Sequence, residues 1–141
     1  MVRLFVLVLL MGLAACEGAL SDDDTSDELT RDDWVAATIN GKAVIKPGRV
    51  TLAFLEGRVS GRSGCNLYSG PVEIGRGSLK VGPLISTKMA CLEDGLMQQE
   101  SAYLSALQST RGYELASGTL TIATGSGPLV YKRAPRQSRP E

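Results

Sequence analysis

From Trp34 to Arg133 the apolar residues fall in short runs, mostly of period two, broken by Gly, Pro, Asn and Ser. Residues 35–39 and 42–45 flank Asn40-Gly41, a pair that favours the positive φ angles of a tight type I′ hairpin. Pro47-Gly48 predicts the next turn. Val50, Leu52 and Phe54 then alternate with Thr51 and Ala53, as in a half-buried strand. Glu56-Gly57 turns the chain into Arg58-Val59-Ser60. Residues 72–74 and 79–81 flank Gly75-Arg76-Gly77 as a second hairpin, and 84–87 form a further short strand. The alternation resumes at Tyr113 and Leu115, Leu120 and Ile122, and Leu129 and Tyr131. Ser117-Gly118 and Gly125-Ser126-Gly127-Pro128 separate these last runs.

One segment has helical spacing. Within 92–109, Leu96, Tyr103, Leu104 and Leu107 share a face, which places Glu93, Gln98, Glu100 and Gln108 toward solvent or the rim. Gly112 ends the stretch. Short strands with a single helix predict an α+β, mainly β fold. The expected form is a strongly twisted antiparallel sheet, closed or half-closed like a barrel, with one helix packed on it.

The flanks read differently. Arg3 precedes an apolar run over 4–13, too short to cross a ~30 Å hydrocarbon core as a helix. Residues 1–15 therefore read as a signal peptide. Leu13-Ala14-Ala15-Cys16 resembles the bacterial lipobox, which implies that Cys16 receives a diacylglycerol group and becomes the new N-terminus. An ordinary signal peptide cut at Ala15 is the alternative. Residues 16–32 carry the acids Asp22-Asp23-Asp24, Asp27 and Glu28 among Ser, Thr and Gly, and are expected to form an extended, mobile tether. Their spacing does not fit a calcium loop. A domain over 33–133 follows, and 134–141 reads as a flexible tail.

Composition narrows the chemistry. The 141 residues hold 15 Lys plus Arg and 15 Asp plus Glu, so no basic excess marks a nucleic-acid surface. There is no histidine, which removes histidine bases, nucleophile pairs and metal ligands. Other candidates are thin. Gly75-x-Gly77-x-x-Lys80 lacks the helix a phosphate loop needs. Ser60, Ser63 and Ser69 sit in no nucleophile elbow. Glu73, Glu93 and Asp94 make a carboxylate pair only if the fold brings them together. Trp34 is expected to anchor the core.

Two motifs are more specific. Gly64-Cys65-Asn66-Leu67-Tyr68-Ser69-Gly70 resembles the "GCN-x-Y-x-G" signature of the META/HslJ family, and Thr87-Lys88-Met89-Ala90-Cys91 resembles its "T-x-M-A-C" signature. Their order and separation also match, as do Trp34 and the Glu100…Tyr103-Leu104…Leu107 helix. The resemblance implies a small, largely β envelope domain, often a lipoprotein, in a group linked to heat induction, motility and antibiotic tolerance. It brings no agreed catalytic site, cofactor or metal.

With Cys16 acylated, Cys65 and Cys91 are the cysteines left, and exported thiols meet an oxidising compartment. A Cys65–Cys91 disulfide would join the two signatures. Two separate, buried, reduced cysteines are the alternative. Asn66 suits a left-handed or side-chain-to-backbone turn, Tyr68 a packed ring with a bonded hydroxyl, and Thr87 a bond to the same loop. Asn66, Tyr68 and Thr87 are also the candidates to rim a binding cleft.

The expectation is a non-enzymatic, lipid-anchored cell-envelope protein, a binding or stress-tolerance module. Glu17 after Cys16 leans toward the outer membrane, facing the periplasm. Its expected partners are the membrane through the anchor and an envelope protein or small hydrophobic ligand, with no nucleic acid. A structural, assembly-supporting lipoprotein is the alternative, and a carboxylate-only hydrolase the least favoured.

Overall fold

The alternating runs become ten antiparallel strands in one sheet. The computed structural model describes residues 22–134. In chain order the strands are β1 (Asp33–Ile39), β2 (Lys42–Ala43), β3 (Arg49–Leu55), β4 (Arg58–Gly64), β5 (Leu67–Ile74), β6 (Leu79–Val81), β7 (Ile85–Ser86), β8 (Thr110–Ala116), β9 (Thr119–Thr124) and β10 (Leu129–Ala134). Helices α1 (Asp22–Arg31) and α2 (Leu96–Gln108) complete the regular elements of the described residues.

Strand order along the sheet is β6-β5-β4-β3-β1-β10-β9-β8, with β2 beside β1 and β7 beside β5. The two ends of this path meet. Tyr113 N donates to Gly77 O at 3.0 Å, and Val81 N donates to Thr110 Oγ1 at 3.2 Å. The sheet is thus a nearly closed barrel, as the pattern of short alternating strands predicts. The turns obey their residues: Asn40 and Gly41 have φ of 50° and 78°, the positive pair a type I′ hairpin requires.

Inward-facing residues alternate along each strand. Trp34, Val50, Leu52, Phe54, Leu120, Ile122, Leu129 and Tyr131 are all buried in one core. Each large apolar side chain so enclosed contributes about 1.5–3 kcal/mol relative to exposure.

Register defines two barrel ends. Asp33, Leu55, Arg58, Ile74 and Ala134 lie at one, and Ile39, Arg49, Gly64, Leu67 and Val81 at the other. Helix α2 closes the second end, burying Leu96, Glu100, Tyr103, Ala106 and Leu107. It starts four residues later than the pattern over 92–109 predicts, because Gly95 in the left-handed conformation (φ 79°) precedes it.

Helix α1 corrects two expectations: the fold has two helices, and the tether expected over 16–32 is helical from Asp22. Average composition there is polar, but one residue decides the docking. Leu29 is fully buried, and its carbonyl accepts the Trp34 indole N–H at 3.0 Å. Arg133, placed beside Trp34 by the β1–β10 register, pairs with Glu28 and with Asp32 and lies 5.9 Å over the Trp34 ring. Acids before β1 and Arg133 of β10, far apart in sequence, thus meet at the first barrel end. Ala134, expected in the tail, pairs with Asp33 in β10. The leader, Cys16 and residues 135–141 lie outside the described residues.

Leu29→Ala should cost about 2–4 kcal/mol in urea unfolding, because the vacated volume lies under Trp34 and cannot collapse freely. Trp34 emission should shift to longer wavelength in the folded variant. A variant as stable as the parent would show that α1 is not docked.

Candidate functional site

The β4–β5 turn is built around Gly64, Cys65 and Asn66. Gly64 has φ 148°, and a Cβ there would come within 3.2 Å of Leu96 Cδ1, so this position suits glycine on both counts. Cys65 is bonded to Cys91, with Cα atoms 5.9 Å apart across a separation of 26 residues. The bridge ties the turn to the segment before α2, as one of the two readings of the cysteines expected.

Asn66 lies at the centre, only 1 % exposed. Its amide donates to Glu100 Oε1 at 2.6 Å and to Met89 O at 3.1 Å. Its carbonyl oxygen Oδ1 accepts from Thr87 Oγ1 and from Met89 N, both at 2.8 Å. The side chain has no further donor or lone pair to offer. Its backbone N–H also reaches Glu100 Oε2 at 3.2 Å, and its backbone O accepts from Ser63 N at 2.9 Å. Of the two structural roles the sequence suggested, Asn66 does not take the left-handed one; its side chain does bond to backbone, at Met89, and so braces distant segments rather than a local turn.

Glu100 corrects the helix reading, which put it at the solvent or the rim. It is buried, and its carboxylate accepts from Asn66 N, Asn66 Nδ2 and Ser63 Oγ, the last at 2.8 Å. Donors converge on both oxygens, the condition under which a buried carboxylate is tolerated. The spacing held the signal: Leu96, Glu100, Tyr103 and Leu107 follow steps of four, three and four, so Glu100 stands on the apolar stripe.

Thr87 joins the same knot, its hydroxyl also accepting from Leu67 N at 3.1 Å. The Cys65 and Cys91 sulfurs and a Glu100 oxygen lie within 4.8 Å of one another. This set does not fit a metal, because the sulfurs are bonded to each other and the carboxylate already holds three donors.

Tyr68 points inward and starts a second polar feature. Its hydroxyl donates to Thr51 O at 2.8 Å and lies 2.7 Å from the Tyr103 hydroxyl, which accepts from Tyr131 at 3.1 Å. Each phenol has one proton, so the order is fixed: Tyr131 donates to Tyr103, Tyr103 to Tyr68, and Tyr68 to Thr51. Burial, with the neighbouring tyrosines adding to it, holds all three phenols well above the ordinary tyrosine range.

The carboxylates proposed as a pair do not meet. Glu73 is exposed on β5 opposite Lys80 near the α1 end, while Glu93 and Asp94 are exposed before α2 at the other. Gly75-Arg76-Gly77 is a hairpin closed by mutual Gly75–Ser78 backbone bonds.

What the sequence did not reveal is the surface above the knot. Of the six exposed large apolar side chains among the described residues, Leu67, Ile85, Met89, Leu92 and Met97 lie on or beside the two signatures, and Leu55 alone lies at the α1 end. Leu67 and Ile85 line an open groove of about 590 Å³ over the outer face of β3, β4, β5 and β7. A second recess of about 370 Å³, which includes Met89 and Met97, shares Ser86 and Thr87 with it.

With two signatures joined into one knot, comparison with known proteins is decisive. A family model described as "META domain" matches residues 27–136. The chain belongs to the META domain family. It is 28 % identical over 121 residues to "Heat shock protein HslJ" of Escherichia coli (strain K12), covering 83 % of this chain and 86 % of that protein. Two solved structures share the fold. One, an NMR structure of a protein from Burkholderia xenovorans, has a TM-score of 0.64 and 26 % identity, covering 93 % of this chain and all of that one. Another NMR structure gives the same TM-score and identity over 81 % of this chain and 95 % of its own. The META match begins inside α1, in keeping with the helix being part of the domain.

Three outcomes check this geometry. Glu100→Gln turns an amide toward three donors and should cost about 2–4 kcal/mol in chemical denaturation, and an unchanged midpoint would refute the knot. Tyr68→Phe strands the Thr51 carbonyl and the Tyr103 proton, whereas Tyr131→Phe removes only the first donor of the chain, so Tyr68→Phe should be the more destabilising by about 1 kcal/mol. Unfolded tyrosines ionise near ~10, so above that pH the unfolded chain releases protons the folded chain keeps. Stability should therefore be full below that pH and fall as pH rises past it. The phenolate absorbance of these three should appear together with loss of the circular dichroism signal, and earlier ionisation would contradict their burial.

Proposed function

We propose that this META domain is a non-enzymatic, lipid-anchored module of the bacterial cell envelope that binds a partner through the surface over its two signatures. One observation carries the reading: the signature residues are consumed in holding a rigid knot, and the surface they support is apolar and open. Asn66 and Tyr68 then act from below, as supports, and Thr87 stands at the rim. Exposed apolar clusters of this kind mark interaction sites more often than chance exposure does.

The anchor rests on the leader and on Leu13-Ala14-Ala15-Cys16. Acyl chains on Cys16 each add ~0.8 kcal/mol per buried methylene, and more than one chain makes the attachment stable. Glu17 favours the outer membrane, periplasmic side. Helix α1 begins six positions after Cys16 and docks at the barrel end opposite the signatures. The chain between them spans at most ~20 Å. The anchored end then faces the lipid, and the signature surface faces away, toward an envelope protein or a small hydrophobic ligand. The name of the Escherichia coli relative supports a stress setting for this role.

Intact-mass spectrometry of the native protein should give a chain starting at an acylated Cys16, and a start at Met1 or a bare cysteine would overturn the anchor. In a deletion strain under heat or detergent stress, the parent gene should restore growth and Ile85→Glu should not. Full rescue by Ile85→Glu would remove the binding role.

A further inference from the structure

The charges and register of the groove say more about what fits it. On the outer face, residues run across the strands in two rows. Ile85 on β7, Ser69 on β5 and Ser60 on β4 form one. Thr87, Leu67 on β5, Arg62 on β4 and Thr51 on β3 form the other, since Leu67 pairs with Arg62, Thr87 N bonds Leu67 O, and Arg62 N bonds the Thr51 hydroxyl. Polarity therefore changes across the groove. The β7 side is apolar and continues past Thr87 into the recess of Met89 and Met97. The β4 and β3 side offers hydroxyls and the Arg62 guanidinium, with Arg58 at its edge donating to Ser69 Oγ at 3.1 Å.

Among the described residues, no acid with a free oxygen lines either recess. Glu100 is the one carboxylate there, and its oxygens are held by Asn66 and Ser63. Asp33 lines a neighbouring recess that shares Thr51, Ser60, Gly61 and Arg62 with the groove, and the cationic Arg49 lines it too. Within the groove and the methionine recess, the charged groups left to meet a ligand are Arg62 and Lys88, both cationic and exposed. Methionines at the apolar end adapt to chains of varied shape. The volume is in the range of small-molecule sites. Helix α1 lies at the opposite barrel end, so a bilayer holding the proposed anchor would not cover this surface.

We propose that the joined groove binds a single-chain anionic amphiphile, with its acidic head at Arg62 and the hydroxyls of Ser60 and Thr51, and its hydrocarbon chain over Leu67 and Ile85 toward Met89 and Met97. This deepens the binding reading above and rests on it. A carboxylate head suits Arg62 because the guanidinium offers paired N–H donors and an exposed face of the sheet leaves them free. The knot beneath is fixed before any ligand arrives, so little ordering accompanies binding.

The test uses the native lipidated protein in phosphatidylcholine nanodiscs with two photoactivatable probes, a twelve-carbon carboxylate and the matching alkylammonium. Labelled residues are mapped by mass spectrometry. The carboxylate should label residues 85–97, roughly ten-fold more than the ammonium. Ile85→Glu and Arg62→Glu should each reduce that labelling several-fold. Both side chains are exposed, and retention of the Cys65–Cys91 bridge and an unchanged far-ultraviolet spectrum would confirm folding. Equal labelling by both heads, labelling at the α1 end, indifference to both substitutions, or crosslinks only to another polypeptide would overturn the proposal. Groove labelling in a protein whose Cys16 proves bare would sink the anchor and leave this site standing.

Discussion

A buried carboxylate organises this barrel. Taking Glu100 out of water costs several kcal/mol, and only donors fixed in place offset it. Those donors, Ser63 Oγ and the two nitrogens of Asn66, come from the last residues of β4 and the turn that follows. Helix α2 can therefore dock in one rotational setting, the one that presents residue 100 to that turn. The turn in its shape depends on others. Met89 and Thr87 hold the Asn66 amide, the disulfide holds Cys65, and Leu96 of α2 packs where a side chain at Gly64 would stand. A hydrophobic contact at residue 100 would give comparable energy but no such selection, since apolar packing is indifferent to direction.

The tyrosine chain extends the same logic into the core. Tyr131 on β10, Tyr103 on α2 and Tyr68 on β5 link opposite walls through the helix and end on a β3 carbonyl. That carbonyl, Thr51 O, lies where β3 and β4 separate: the Thr51 hydroxyl takes the Arg62 N–H and leaves the backbone oxygen to Tyr68. Both polar systems thus act at the β3–β5 side of the barrel, one at its end and one inside. Asn66, Leu67 and Tyr68 follow one another in the first signature, so the turn and the first two positions of β5 serve the knot, the surface and the core in succession.

Much of the barrel was legible because its local signals are strong. Asn40-Gly41 and Gly75-Arg76-Gly77 specify hairpins by backbone stereochemistry alone, and Val50, Leu52 and Phe54 keep their period to the end of β3. Helix α1 was not legible, because its docking depends on Leu29 and on an arginine more than a hundred residues away, neither of which shifts an average over an acidic segment. Glu100 was misread for a related reason: polarity outweighed position, although the four-three-four spacing with Leu96, Tyr103 and Leu107 placed it inside. The roles of Tyr68 and Thr87 as bonded residues followed from their chemistry. The exposed apolar surface did not, since Leu67, Ile85 and Met97 belong to three different elements and share a face only after folding.

That surface is hard to explain by stability. Five large apolar side chains in water around one turn lower solubility and add nothing to the core beneath them. The knot under them is overdetermined for a simple turn: a disulfide, a saturated amide and a buried carboxylate hold about as much chain as a two-residue hairpin elsewhere in the barrel holds with none of these. Rigid support under exposed apolar groups is the arrangement that lets a ligand displace water without reorganising the protein. On the function proposed above, the family signatures are the foundation of a binding surface whose own side chains lie largely between and beyond them.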